Sequence, residues 1–261
     1  MPRQFLYNGY ATGFSGRIKA PFDEVIESKA ASSLGVTGGY ASARVDNFRH
    51  RELISFASAH TQASGILSQK TPVEQNPAYF ETFVSGVLEG LNILDTVKVD
   101  YMVGRLMSKH PVEPPKEGPD EPTINPIGTQ YGKLVVAGYE LTPVIDVDFF
   151  STFCSYRQLC ENIPRDADLR ARFNVKEDLK GPPPRGMMAG SIVREVRGGR
   201  RDWEIKGKGN SIKVPGFGIL HFGELIIEQY SRRLSMMRLE LGCPVQSDSS
   251  GPDMGGNGHV P

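Results

Sequence analysis

The chain has 261 residues, with 30 Lys and Arg balancing 30 Asp and Glu, and three cysteines. That length favours one large domain over two and lets about 70–75% of the unfolded chain's surface be buried, so no metal or disulfide staple is required. Even charge argues against a dedicated nucleic-acid binder, which concentrates basic residues against phosphate. Cys154, Cys160 and Cys243 are too few and too odd in number for a disulfide framework, and read as small reduced hydrophobes.

The first residues, MPRQFLYNGYATGFSG, lack the charged start, apolar run and cleavage site of a secretory signal. No stretch reaches the ~20 apolar residues of a membrane span. A cytoplasmic location without a membrane span is therefore expected.

Along the chain, side chains two apart on a strand share a face. Gly38-Gly39 opens a strand from Tyr40 to Phe48, with Ala41, Ala43 and Val45 together. A second runs from Leu53 to Ala63, and its small residues on both faces suggest close sheet packing. Val87, Leu91, Ile93, Val97, Val99, Tyr101 and Val103 occupy odd positions against polar Asn92, Thr96, Lys98 and Asp100. That is the alternation of a half-buried strand pair, divided by a turn near Asn92 to Thr96. Prolines then make His110 to Pro126 a loop. Strand character resumes from Tyr131 to Val147, with a turn or bulge at Gly138.

From Phe149 the period changes. Phe149, Phe153, Tyr156, Leu159, Cys160 and Ile163 recur at spacings of three and four, the stripe of an amphipathic helix that Pro164 ends. Asp166 caps a second short helix carrying Leu169 and Phe173. GPPPRG, residues 181–186, closes the segment as a stiff linker. Gly198 to Arg200 and Gly207 to Asn210 read as hairpin turns. Gly218 to Glu228 and Arg233 to Gly242 form the best hairpin in the chain. Residues 247–261 are rich in Gly, Ser, Asp and Pro and read as a flexible tail.

The expected fold is mostly β: an antiparallel two-layer roll, sandwich or solenoid-like stack. Residues 1–246 form a single β-rich domain with a helical insertion over about 149–180. No repeat period is established.

Chemistry is sparse. Arg194, Arg197, Arg200 and Arg201, with Trp203 beside them and Lys206 and Lys208 following, form a basic cluster suited to an acidic protein surface. Asp146 and Asp148 share a strand face in VIDVDFF, and with Glu224 offer acid/base carboxylates for a glycoside. His221 and Glu224 point to opposite faces of a regular strand, but a bulge at Gly223 would bring them together. Tyr131, Tyr139 and Trp203 are candidates for an aromatic platform. The Gly-rich stretches lack the Gly-Lys-Ser/Thr ending of a phosphate loop. No cofactor or metal is expected. Three functions follow, in order. The first is a non-enzymatic structural or interaction protein that forms homo-oligomers through β edges, loops and the C-terminal tail. The second is a carboxylate-dependent hydrolase acting on carbohydrate. The third is a ligand-binding β module.

Overall fold

The computed structural model describes residues 4–20, 22–68, 78–113, 121–173, 187–206, 209–242 and 246–259. In chain order the first ten strands are β1 (Leu6–Ala20), β2 (Glu24–Ser33), β3 (Gly39–His50), β4 (Ile54–Ser68), β5 (Tyr79–Ile93), β6 (Val97–Pro111), β7 (Thr123–Asn125), β8 (Gln130–Tyr131), β9 (Leu134–Val136) and β10 (Tyr139–Ile145). Helices α1 (Val147–Thr152), α2 (Tyr156–Asn162) and α3 (Ala167–Arg172) follow. The remaining strands are β11 (Met188–Ser191), β12 (Val193–Gly198), β13 (Glu204–Lys206), β14 (Ser211–Val214), β15 (Gly218–Ile227), β16 (Arg232–Gly242) and β17 (Gln246–His259).

Two antiparallel sheets pack face to face as a sandwich. Sheet I has the order β13-β14-β15-β16-β17-β1-β2, with β11 also on β15. Sheet II has the order β12-β10-β9-β6-β5-β4-β3, with β7 and β8 alongside β6. Between them lies one large apolar core that includes Phe14, Phe56, Leu88, Met102, Phe222, Leu239 and Met254. A smaller cluster of Phe5, Tyr7 and Phe80 closes one end, where Phe5 and Phe80 stack at 4.4 Å.

Small residues set how closely the sheets approach. A Cβ added at Gly104 would lie 2.1 Å from the Met254 side chain, and one at Gly86 would lie 2.7 Å from Pro252. The same two residues explain a correction. Residues 247–261 do not read as structure, yet β17 lies between β16 and β1 and pairs with both. Its Gly and Ser residues have little apolar surface of their own. A central strand gains most from its neighbours' hydrogen bonds and packing, and here Gly86 and Gly104 of the facing sheet make room for the Pro252 and Met254 side chains of β17.

The long strands do not keep one period. Gly223, Met236, Pro252, Gly13 and Ala30 lie level across sheet I, and each facing pair is missing from the ladders on either side of it. Asn47, Ala57, Gly90 and Asp100 form the matching row in sheet II. Gly223, Ala30, Asn47 and Gly90 have φ of +58°, +49°, +54° and +63°. A left-handed residue inverts the pleat, so the buried set changes parity as a strand crosses the row. On β5 the buried hydrophobic residues are Phe80, Val84 and Leu88 before Gly90, then Leu91 and Ile93 after it. The expected odd-numbered burial from Val87 to Val103 therefore holds from Leu91 to Val99, between the two crossings of the row at Gly90 and Asp100, and gives way to even-numbered Leu88 before it and Met102 after it. The turn between β5 and β6 falls where expected, with Leu94 and Asp95 at positive φ. Ala137-Gly138 makes the two-residue hairpin expected at Gly138.

The helical segment also differs in detail. Where the stripe predicts one helix from Phe149 to Ile163, the chain breaks between α1 and α2. Ser155 and Gln158 form a reciprocal capping box that starts α2 afresh. Asp166 caps α3 as expected. The Gly198 to Arg200 turn is no hairpin: β12 pairs with β10 in sheet II, and β13 pairs with β14 in sheet I, so the chain changes sheets there. The 181–186 linker, Lys208 and Cys243 lie outside the described residues, as does the middle of the Pro-rich loop. Cys154 and Cys160 are free thiols. Among the described residues, no helix is long and apolar enough to cross a membrane.

Candidate functional site

The helical segment stands over the outer face of sheet I and leaves a cleft of about 1090 Å³ beside it. One wall is apolar, formed by Phe149, Phe153 and Leu169. It is held from behind by ring contacts of Phe149 with Phe153 at 5.3 Å and with Phe173 at 6.1 Å. Gly190 on β11 lets the helices approach, because a Cβ there would lie 2.7 Å from the Phe173 ring.

Asp146 and Asp148 are not a strand pair. Asp146 is the N-cap of α1 and accepts a hydrogen bond from the Phe149 amide; Asp148 sits in that helix's first turn. The Asp146 carboxylate is also ion-paired with Arg172, whose guanidinium lies 4.3 Å from the Phe149 ring centre. Both Asp residues line the cleft, as does Glu224. The three carboxylates read from the sequence thus share one site, for a geometric reason other than strand alternation.

The floor is polar and belongs to β14, β15 and β16. Gly223 inverts the pleat, so His221 and Glu224, three apart, come to the same face with 3.9 Å between Nδ1 and Oε1. Arg238 on the neighbouring strand donates to both Glu224 oxygens, at 2.6 and 2.8 Å. It also pairs with Glu240. These hydrogen bonds, Glu224 first, hold the guanidinium well above its ordinary pKa. Ser211 Oγ lies 2.9 Å from His221 Nδ1, and Glu240 Oε1 lies 3.5 Å from Nε2. Ser211 and Glu240 were not singled out in the sequence. No spacing marks them, because Ser211 meets His221 through the β14–β15 register and Glu240 through β15–β16.

A family model described as "Domain of unknown function (DUF8256)" matches residues 5–168 and 155–228. The chain belongs to the DUF8256 family. No curated protein and no solved structure matches it. In this DUF8256 chain the matched residues include the helical wall and the β11, β14 and β15 parts of the cleft; Arg233, Ser235 and Arg238 on β16 lie beyond them.

The other candidates are dispersed. Among the described residues of the basic cluster, Arg194 lines the cleft and Arg197, Arg200 and Arg201 do not. Arg197 pairs with Glu195 on β12 at 2.5 Å and Arg200 with Asp202 in the following turn at 2.8 Å, so acidic neighbours offset the charge. Trp203 is buried and meets Tyr139 edge-on at 5.7 Å. Tyr131 is half-buried and reaches between the sheets, its hydroxyl 2.5 Å from the Met236 carbonyl. Tyr131, Tyr139 and Trp203 therefore present no common flat face. Among the described residues, no group of three or more His, Cys, Asp or Glu is placed to hold a metal ion.

Proposed function

We propose that the protein is a ligand-binding β module whose ligand occupies the cleft between α1–α3 and the outer face of sheet I. One observation carries this reading: a cleft of about 1090 Å³ sets an apolar wall against a floor of convergent, already paired polar groups. Concave sites of that size and mixed lining are the usual seats of small ligands. Pairing within the floor holds its donors and acceptors in place before a ligand arrives, which lowers the ordering cost of binding. A ligand with an apolar part for Phe149, Phe153 and Leu169 and a polar part for the floor fits best.

Carbohydrate hydrolysis by carboxylates is less well supported. It needs one protonated carboxyl as general acid. Asp146 is engaged by Arg172 and an amide, and Glu224 by both arms of Arg238.

Ala189 is exposed and lines the cleft. A fragment screen read by backbone amide shifts is expected to give hits that perturb Gly190, Asn210 and Ser211. Ala189→Trp should fill the cleft and weaken those hits at least tenfold. Hits that cluster elsewhere, or that survive this substitution, would remove the reading.

Self-association is a second reading, favoured by one observation. Val36, Tyr40, Ile66 and Leu67, each more than half exposed, gather at one end of the β3–β4 hairpin beside the free edge of β3. Light scattering across a concentration series tests it.

A further inference from the structure

We infer that Ser211 is a nucleophile and that the cleft accepts an ester whose acyl group passes to it. This rests on the ligand-binding reading of the cleft and goes beyond it. Three observations carry it. Ser211 Oγ is 2.9 Å from His221 Nδ1, within hydrogen-bonding reach of a base. The other ring nitrogen, Nε2, faces Glu240 Oε1 at 3.5 Å. Glu240 is in turn anchored by Arg238, which is locked to Glu224. A hydroxyl, an imidazole and a carboxylate in sequence are recognised by such roles and not by chain order, and here all three come from adjacent strands of sheet I. Both Ser211 and His221 line the cleft.

The arrangement requires the tautomer with hydrogen on Nε2, the nitrogen 3.5 Å from Glu240 Oε1, and a lone pair on Nδ1. As Ser211 Oγ attacks the ester carbonyl carbon, its proton passes to Nδ1 and a C–O bond forms. Collapse breaks the bond to the alcohol, which leaves with that proton. Water, deprotonated by the same nitrogen, then attacks the acyl-serine; the acid leaves and the serine is restored. No oxidant, metal or second substrate enters. Asn210, next in the chain and also in the cleft lining, has a side-chain amide suited to an oxyanion. Glu240 acts as a positioning residue through the ring.

The test is covalent labelling of the full chain with a fluorophosphonate, in which the serine oxygen displaces fluoride from phosphorus. The expected result is one adduct, mapped by tandem mass spectrometry to Ser211 in the unsubstituted protein. Ser211→Ala abolishes it, His221→Asn slows it by about 10²–10⁴-fold, and Glu240→Gln displaces its pH profile to lower pH. No adduct on the unsubstituted protein, or one that persists in Ser211→Ala, overturns the inference. So does an unchanged rate in His221→Asn. Mapping the unsubstituted protein keeps the test valid if a variant does not fold. Cleft hits without labelling sink this inference alone, whereas absence of cleft hits sinks the binding reading first.

Discussion

The hydroxyl of Tyr131 crosses the interior from sheet II and donates to the Met236 carbonyl, one of the groups that the pleat inversion removes from the sheet I ladder. At the far side of the same row Thr61 Oγ1, also from sheet II, donates to the Ala30 carbonyl at 2.8 Å. Buried carbonyls without partners are costly, and side chains of the facing sheet supply them here. Burial pushes the Tyr131 phenol above its ordinary value of about 10. The unfolded chain therefore ionises this group near pH 10 while the folded chain keeps it neutral. Its contribution to stability is complete below pH 10 and falls as pH rises beyond it. Tyr131→Phe is expected to cost about 1–3 kcal/mol at neutral pH by orphaning the Met236 carbonyl. It should also flatten the alkaline decline in urea midpoint, and a variant that matched the parent in both respects would contradict this account.

Strands in this protein are organised by the two transverse rows more than by their own alternation. Gly223 is the clearest case. Its left-handed conformation is open to glycine without strain. A Cβ there would lie 2.5 Å from Ile192 and 2.9 Å from Val193, where the chain crosses from β11 to β12. Gly223→Ala should therefore lower unfolding stability by about 1–3 kcal/mol and disturb the amide signals of His221 and Glu224 together, because the inversion sets both side chains on one face. A change of stability under 0.5 kcal/mol, with those signals in place, would show that the strand tolerates the residue and that glycine is not what unites them. The short helices follow a similar logic: α1, α2 and α3 each begin at a side-chain cap, and their apolar residues, Phe149, Leu159, Ile163 and Leu169 among them, join the cluster that the strands build.

For the molecule as a whole, the sandwich leaves β2, β3, β12 and β13 at the ends of its sheets. Open edges invite pairing with other chains. On β3 that tendency is opposed by the Arg44–Asp46 ion pair and by the inversion at Asn47, which bends the strand. The exposed group of Val36, Tyr40, Ile66 and Leu67 works in the other direction. If the protein self-associates there, mass by light scattering should rise with concentration and Tyr40→Glu should suppress the rise. A strict monomer from nanomolar to high micromolar concentration would end that reading.

The residue pattern by itself determined the β-rich class, a turn near Asn92 to Thr96, a hairpin turning near Gln229 to Arg232, the change of period near Phe149 and the cap at Asp166. Each is a local property: alternation, turn residues at positive φ, or a side chain bonded to nearby amides. It also picked out Asp146, Asp148, Glu224, His221 and Arg194, which line the cleft. Only the tertiary structure decided that they belong together, since the cleft joins the helical segment to strands tens of residues away. The same holds for Ser211 and Glu240, brought to His221 by strand register, and for Trp203, buried, and Tyr131, half-buried, by neighbours remote in sequence. The last case is β17: a Gly- and Ser-rich stretch carries little apolar signal, and becomes a central strand because β16 and β1 hydrogen-bond it on both sides and Gly86 and Gly104 of sheet II make room for its Pro252 and Met254.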